Sequence, residues 1–276
     1  MTNPTGQPEK LDYAKIIPVF VIIFIDLLGL TIIIPLLSLY AASFGASATT
    51  IGVLGAVYPA AQVIGAPILG RLSDRFGRKP ILIASQLGTL AGFLLLGFAG
   101  SIWVLFLSRL LDGLSGANIA TAQAVITDST TEKNRTQGLG LVGAAFGLGF
   151  VVGPVISFLS LSISGNNFHV PAFIAAGFSA LSILMTIFIL KETNPRGPRA
   201  NLHSRRGFTL SLFFKTLKTP LVGFLLVLIF IQQLAFGGFQ HLGELGHRRR
   251  EPLLRAILGK LPVQAFVLAQ LAGQFV

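Results

Sequence analysis

From Ile16 to Tyr40 the chain runs for 25 residues with a single charge, Asp26. A bilayer's hydrocarbon core takes about 20 apolar residues of helix, so this run is long enough to cross one. It is too long for the apolar part of a cleavable signal peptide, and the polar residues 1–15 before it do not resemble one. Six more runs of about 20 largely apolar residues follow, at 50–69, 80–98, 102–126, 137–160, 170–190 and 219–240. In lipid an open chain can satisfy its backbone only as helix. The expectation is an all-α membrane protein with seven spans. Composition agrees: 53% of the 276 residues are hydrophobic and 11% charged, where soluble domains carry about a quarter charged.

The net charge of +11 raises nucleic acid as a partner. The basic residues, however, lie between apolar runs and form no amphipathic face, so the partner they imply is a lipid bilayer. Placing residues 1–15 in the cytoplasm puts fifteen of the 21 Lys and Arg residues on that side. The connections near 41–49, 99–101 and 161–169 on the other side hold none. This predicts a multi-pass protein with a cytoplasmic N-terminus and leaves plasma and vacuolar membranes undistinguished. Residues 191–218 are basic and carry Pro195 and Pro198, reading as a cytoplasmic linker after a six-span unit at 16–190. The chain has no cysteine, and its four histidines show no metal-ligand spacing. No catalytic constellation, metal site or cofactor is predicted, so the chain does not read as an enzyme. Gly138-x-Gly140-x-x-Gly143 fits a dinucleotide fingerprint, but no strand precedes it. Asn134-Arg-Thr136 fits a glycosylation acceptor on the wrong side of the membrane.

Several residues resist a purely structural reading. Asp26 lies about 15 Å deep at 1.5 Å rise per residue. A charge there is expensive unless it faces protein or water, which suits a proton carrier; a structural pairing with another helix is the alternative. Arg109 and Asp112 are i, i+3 neighbours able to pair, either structurally or for proton coupling. Gly113, Gly116, Ala117 and Ala120 allow close helix packing. Asn118, Thr121 and Gln123 point to a polar cavity, and Gln232 of the seventh span could join it. Between the second and third spans stands Gly70-Arg-Leu-Ser-Asp74-Arg75-Phe-Gly77-Arg78-Lys79, read as a short cytoplasmic loop. A topological anchor explains its basic residues but not Asp74, which suits helix-end amides or an arginine, nor the glycines, which suit tight turns and close approach. In the fifth span, Gly149-x-x-x-Gly153-Pro154 combines small residues with a proline that frees the Phe150 carbonyl and permits a bend.

The Gly70–Lys79 stretch closely resembles the signature loop of the major facilitator superfamily. Asp26-x-x-Gly29-x5-Pro35, the Asp128–Arg135 segment and Gly149-x-x-x-Gly153-Pro154 resemble the tetracycline-resistance-like branch of drug:proton antiporters. Arg109 is similar to the fourth-helix arginine that this family associates with proton coupling. The resemblance implies a six-helix half built from two inverted three-helix repeats, alternating access, a small-molecule substrate and protons as coupling partner. Asp26 then lies on the first helix of one repeat and Arg109 with Asp112 on the first helix of the other. Where the antiporter pattern continues with two glycines, Ser157 and Phe158 stand here, which keeps a facilitator or symporter of sugars or other metabolites open.

The resemblance covers about residues 16–240, one transporter half plus a seventh span at 219–240. Beyond it, Arg248, Arg249, Arg250, Arg255 and Lys260 fall where an external segment is due, and the final apolar run, Leu261–Val276, is short for a span. The expectation is that residues 241–276 depart from the family through a frameshift, misjoined exon or truncation. An inert or dominant-negative product, partnered by a full-length relative or second copy, is the reading from a different class.

Overall fold

The chain divides into two compact units, residues 1–197 and 198–276. The computed structural model describes residues 13–193 except 117 and 133, all within the first unit. The seventh span at 219–240, the tail at 241–276 and, beyond residue 193, the linker of 191–218 lie outside the described residues.

Among the described residues seven helices follow one another: α1 Tyr13–Ser43, α2 Ala48–Phe76, α3 Arg78–Gly97, α4 Ile102–Ser115, α5 Asn118–Ser129, α6 Arg135–Ile163 and α7 His169–Phe188. No strand occurs among the described residues. Among the described residues, six stretches are long and apolar enough to cross a membrane, with α4 and α5 together forming the fourth. Local chemistry sets several ends. Ser47 caps α2, its Oγ accepting from the Thr50 amide at 3.2 Å. Gly77 ends α2 with φ +105°, a conformation that disfavours any side chain.

Two boundaries correct the sequence reading. The expected loop at 70–79 is almost entirely helical: α2 runs through Phe76, α3 begins at Arg78, and only Gly77 breaks the path. The expected continuous fourth span is interrupted at Gly116, within Gly113-Leu-Ser-Gly116, where two glycines and a serine give little intrinsic helix support.

The packing is two-fold in pattern. α1 packs chiefly on α6 and α7, α3 on α7 and α4, and α2 on α4. Exchanging the first three spans for the last three turns the α1–α6 pair into the α4–α2 pair. It also turns α1–α7 into α4–α3 and leaves α3–α7 mapped onto itself. This is the relation that inverted repeats produce. Two apolar clusters result. One gathers around Ile32, Leu36, Phe93, Leu96 and Leu105; the other around Ile22, Leu27, Leu82, Val125 and Val142. Gln86 and Thr89 fall between cluster members on α3, and Arg109 and Asp112 fall between Leu105 of α4 and Ala122 of α5.

Candidate functional site

The Arg109 Nη1 and Asp112 Oδ2 atoms lie 3.2 Å apart, with each side chain 3% exposed. An unpaired charge at this depth would be costly, and the pair removes most of that penalty. Its surroundings are built from glycines on other helices. Arg109 lies over the Phe93 ring at 5.6 Å and donates from Nη2 to Ser108 Oγ at 3.2 Å. The Phe93 ring fills the room left at Gly29, where a Cβ would stand 2.8 Å from it. Asp112 lies over Gly92, with a hypothetical Cβ only 3.0 Å from its own, and is hydrogen-bonded by Thr89. The glycine of Asp26-x-x-Gly29 therefore makes space for the ring that holds Arg109.

Asp26, Leu27, Leu30, Tyr58, Thr89, Asp112, Gly116 and Ile119 line one cavity. An adjoining cavity is lined by Asp26 together with Ile22, Leu82, Gln86, Ile119 and Ala122. Asp26 borders both, half-buried, so α1 and α4 bring their ionisable groups to one place. Tyr58 of α2 faces Asp26, Asp112 and Arg109 and was missed in the sequence. Its signal was modest: a lone tyrosine in a small-residue helix, with Gln62 one turn further on.

The break after α4 forms part of this site. The Gly116 carbonyl accepts from Gln62 Nε2 at 2.8 Å, and Gln62 Nε2 also lies 3.4 Å from Tyr58 Oη. The Ser115 carbonyl accepts a short hydrogen bond from Ser85. Carbonyls freed by the break are thus satisfied by side chains of α2 and α3, as a lipid-embedded backbone requires. Gly65 and Gly113 admit the close approach of α2 and α4: a Cβ at Gly65 would collide with the Leu114 backbone, and one at Gly113 with the Tyr58 carbonyl. Of the predicted cavity residues, Thr121 is fully buried, whereas Gln123 is exposed and does not line either cavity. The Asn118 side chain and Gln232 lie outside the described residues.

The α2–α3 corner is an ion-pair latch. Arg78 donates to Asp74 Oδ1 at 2.6 Å, Ser73 Oγ at 2.9 Å and, from Nε, Asp128 Oδ2 at 2.9 Å. It joins the end of α2 to the end of α5. Asp74 takes the arginine; the helix-end amides expected for it are taken by Glu192, which accepts from Arg78 N at 2.9 Å and Lys79 N at 3.1 Å. Lys79 Nζ donates to the Ile187 carbonyl at 2.7 Å at the end of α7. Arg75 is exposed, over the Phe76 ring at 5.2 Å. Gly77 serves the tight turn as expected, while Gly70 lies within α2 and has no close neighbour at its Cβ position among the described residues.

The glycine-rich fifth span, α6, divides by face. A Cβ at Gly153 would collide with Thr31 of α1, and Gly149 stands against Leu27 and Thr31. Gly140, Gly143 and Gly147 face open space, so not every glycine of this helix brings a partner close. α6 continues through Pro154 to Ile163, and Ser157, where the sequence pattern departs, is buried.

A membrane bundle of two inverted three-span units, with charges held at the junction of the repeats, defines one half of a secondary transporter. The chain belongs to the Major Facilitator Superfamily, whose family pattern it matches over residues 19–273. It is 39% identical over 220 residues to the class B tetracycline resistance protein of Escherichia coli, covering 78% of this chain and 53% of that protein. It is 33% identical over 219 residues to multidrug resistance protein 2 of Bacillus subtilis (strain 168), covering 78% and 53%. The chain thus spans about half the length of these relatives. The crystal structure of the human organic anion transporter MFSD10 (TETRAN) superposes with a TM-score of 0.60 at 24% identity, covering 68% of this chain and 50% of that one. That likeness speaks to the fold alone. The protein is a multi-pass integral membrane protein of a transporter family.

Proposed function

We propose that this chain supplies one half of a proton-coupled antiporter that exports a small molecule. The single observation that carries the reading is the convergence of Asp26 with the Arg109–Asp112 pair around one cavity. Asp26 is the proton carrier in this reading, and Arg109 with Asp112 responds to its charge state. The resemblance to tetracycline and multidrug resistance proteins supports efflux. The charge asymmetry of the connections supports a cytoplasmic N-terminus, which places the Asp74–Arg78–Asp128 latch on the cytoplasmic side as a gating element. Gly149 and Gly153 hold α6 against α1 at Leu27 and Thr31, just after Asp26, and in this reading Pro154 lets α6 bend as the carrier helix moves. The chain spans about half the length of its relatives, and the rocking motion of this reading takes place against a second half.

The test is drug efflux from membrane vesicles under an imposed proton gradient. Export should depend on the gradient and be lost in Asp26→Asn. Transport indifferent to a protonophore sinks the proposal.

A further inference from the structure

Gln86 lies in the middle of α3 and is fully buried. Its Nε2 donates to Ser182 Oγ of α7 at 2.7 Å, and Ser182 Oγ in turn donates to the Ile22 carbonyl of α1 at 3.3 Å. Because the Ser182 hydrogen goes to Ile22, its lone pair faces Gln86, which fixes the amide with nitrogen towards α7 and oxygen away from it. The backbone carbonyl of Gln86 is held by Ser179 at 3.4 Å. The side chain is therefore anchored at one end, while its Oε1 has no hydrogen-bond partner among the described residues. Leaving a buried acceptor unmade is costly, and native structures seldom do so without a reason.

That oxygen belongs to a residue lining the same cavity as Asp26, and Ile22, whose carbonyl closes the anchor, is one helical turn before Asp26 on the same face. An amide oxygen can only accept. It has nothing to gain from a carboxylate, which is also only an acceptor, and a hydrogen bond to gain from a carboxylic acid. We propose that Gln86 is a positioning residue for the proton carrier: its Oε1 accepts from the protonated carboxyl of Asp26, directly or through one water, and so favours the loaded state. This rests on the reading of Asp26 as the carrier. Among the described residues, Tyr58 of α2 and Asp112 of α4 line a cavity with Asp26, and Arg109 is the ion-pair partner of Asp112. On α3, α5, α6 and α7 the titratable residues stand near the helix ends: Arg78, Lys79, Asp128, Arg135 and His169. On α3, Gln86 and Thr89 each border a cavity shared with Asp26, and Gln86 is the one tied to α7.

The experiment reads the protonation of Asp26 without relying on transport. A hydrophobic carbodiimide reacts with protonated carboxyl groups in apolar surroundings. Labelling of Asp26 in the full chain is followed against pH by mass spectrometry of the peptide that contains it. In Gln86→Met, which keeps the length and removes the acceptor, the labelling midpoint should fall by about 0.5–1 pH unit. In Gln86→Glu, whose acid form accepts and whose anion repels a carboxylate, it should rise. A purely structural role predicts no such opposition of sign. Midpoints that coincide in the three proteins, shifts of the same sign, or an Asp26 that labels at no pH overturn the proposal. If the midpoints move as stated while Asp26→Asn exports normally, the antiport reading fails and the Gln86 assignment stands. If export needs Asp26 but the midpoints coincide, the reverse holds.

Discussion

Glu192 caps the helix that Arg78 begins: its two carboxylate oxygens accept from the first two amides of α3 at 2.9 and 3.1 Å. These amides have no partner inside their own helix, and a carboxylate there also meets the positive end of the helix dipole. The contact ties the segment after α7 to the start of α3 across more than a hundred positions in the chain. Replacing Glu192 with Ala should lower the stability of the detergent-solubilised chain by about 1–2 kcal/mol, measured by thermal unfolding. Unchanged stability would show that solvent replaces the carboxylate without loss.

Gly77 is constrained twice at the same corner. Its φ of +105° disfavours a side chain, and a Cβ there would stand 2.6 Å from a Glu192 oxygen. Gly77→Ala should therefore cost about 2 kcal/mol. Combined with Glu192→Ala it should cost less than the sum of the two single changes, because the steric part disappears while the backbone strain remains. Strict additivity would mean that the carboxylate already has room to move.

The two faces of α6 should respond differently to the same small change. Gly153→Ala forces a methyl group into Thr31 and should destabilise by about 1–3 kcal/mol. Gly147→Ala enters open space on the same helix and should be neutral or slightly stabilising. Equal effects in an unfolding assay would contradict the close α1–α6 contact.

Breaking the buried pair from one side should be worse than removing it. Arg109→Ala leaves Asp112 without its counter-charge and should cost about 3–5 kcal/mol, whereas the double change Arg109→Met with Asp112→Leu should cost clearly less. Yield and thermal stability of the two purified variants decide this. A double variant as unstable as the single one would mean that the pair contributes packing which the apolar residues cannot replace.

The spans could be read from hydropathy because lipid permits an open chain only one backbone solution, and the six within the described residues appear as helices. Their ends were harder to read. Gly70-Arg-Leu-Ser-Asp-Arg looks like a loop by polarity, yet α2 carries it as helix through Phe76; a helix that extends beyond the hydrocarbon can keep its charges in water. The break at Gly116 escaped notice because apolarity continues across it; what makes it viable is Gln62 and Ser85, on two other helices. Tyr58, Gln86 and Glu192 were missed for a related reason. Each is unremarkable among its sequence neighbours and gains its significance from partners on other helices, about 30 to more than 100 residues away.

By itself, the sequence determined that this chain lives in a membrane as helices, that it carries the marks of a transporter family, and that Asp26, Arg109 and Asp112 are its expensive residues. These follow from local properties: apolar length, the cost of a charge in lipid, and motif spacing. Only the tertiary structure decided which glycine makes room for which side chain, which carboxylate caps α3, and which residues share a cavity with Asp26. Those depend on how helices distant in sequence approach one another, and that is set by packing of the whole bundle at once.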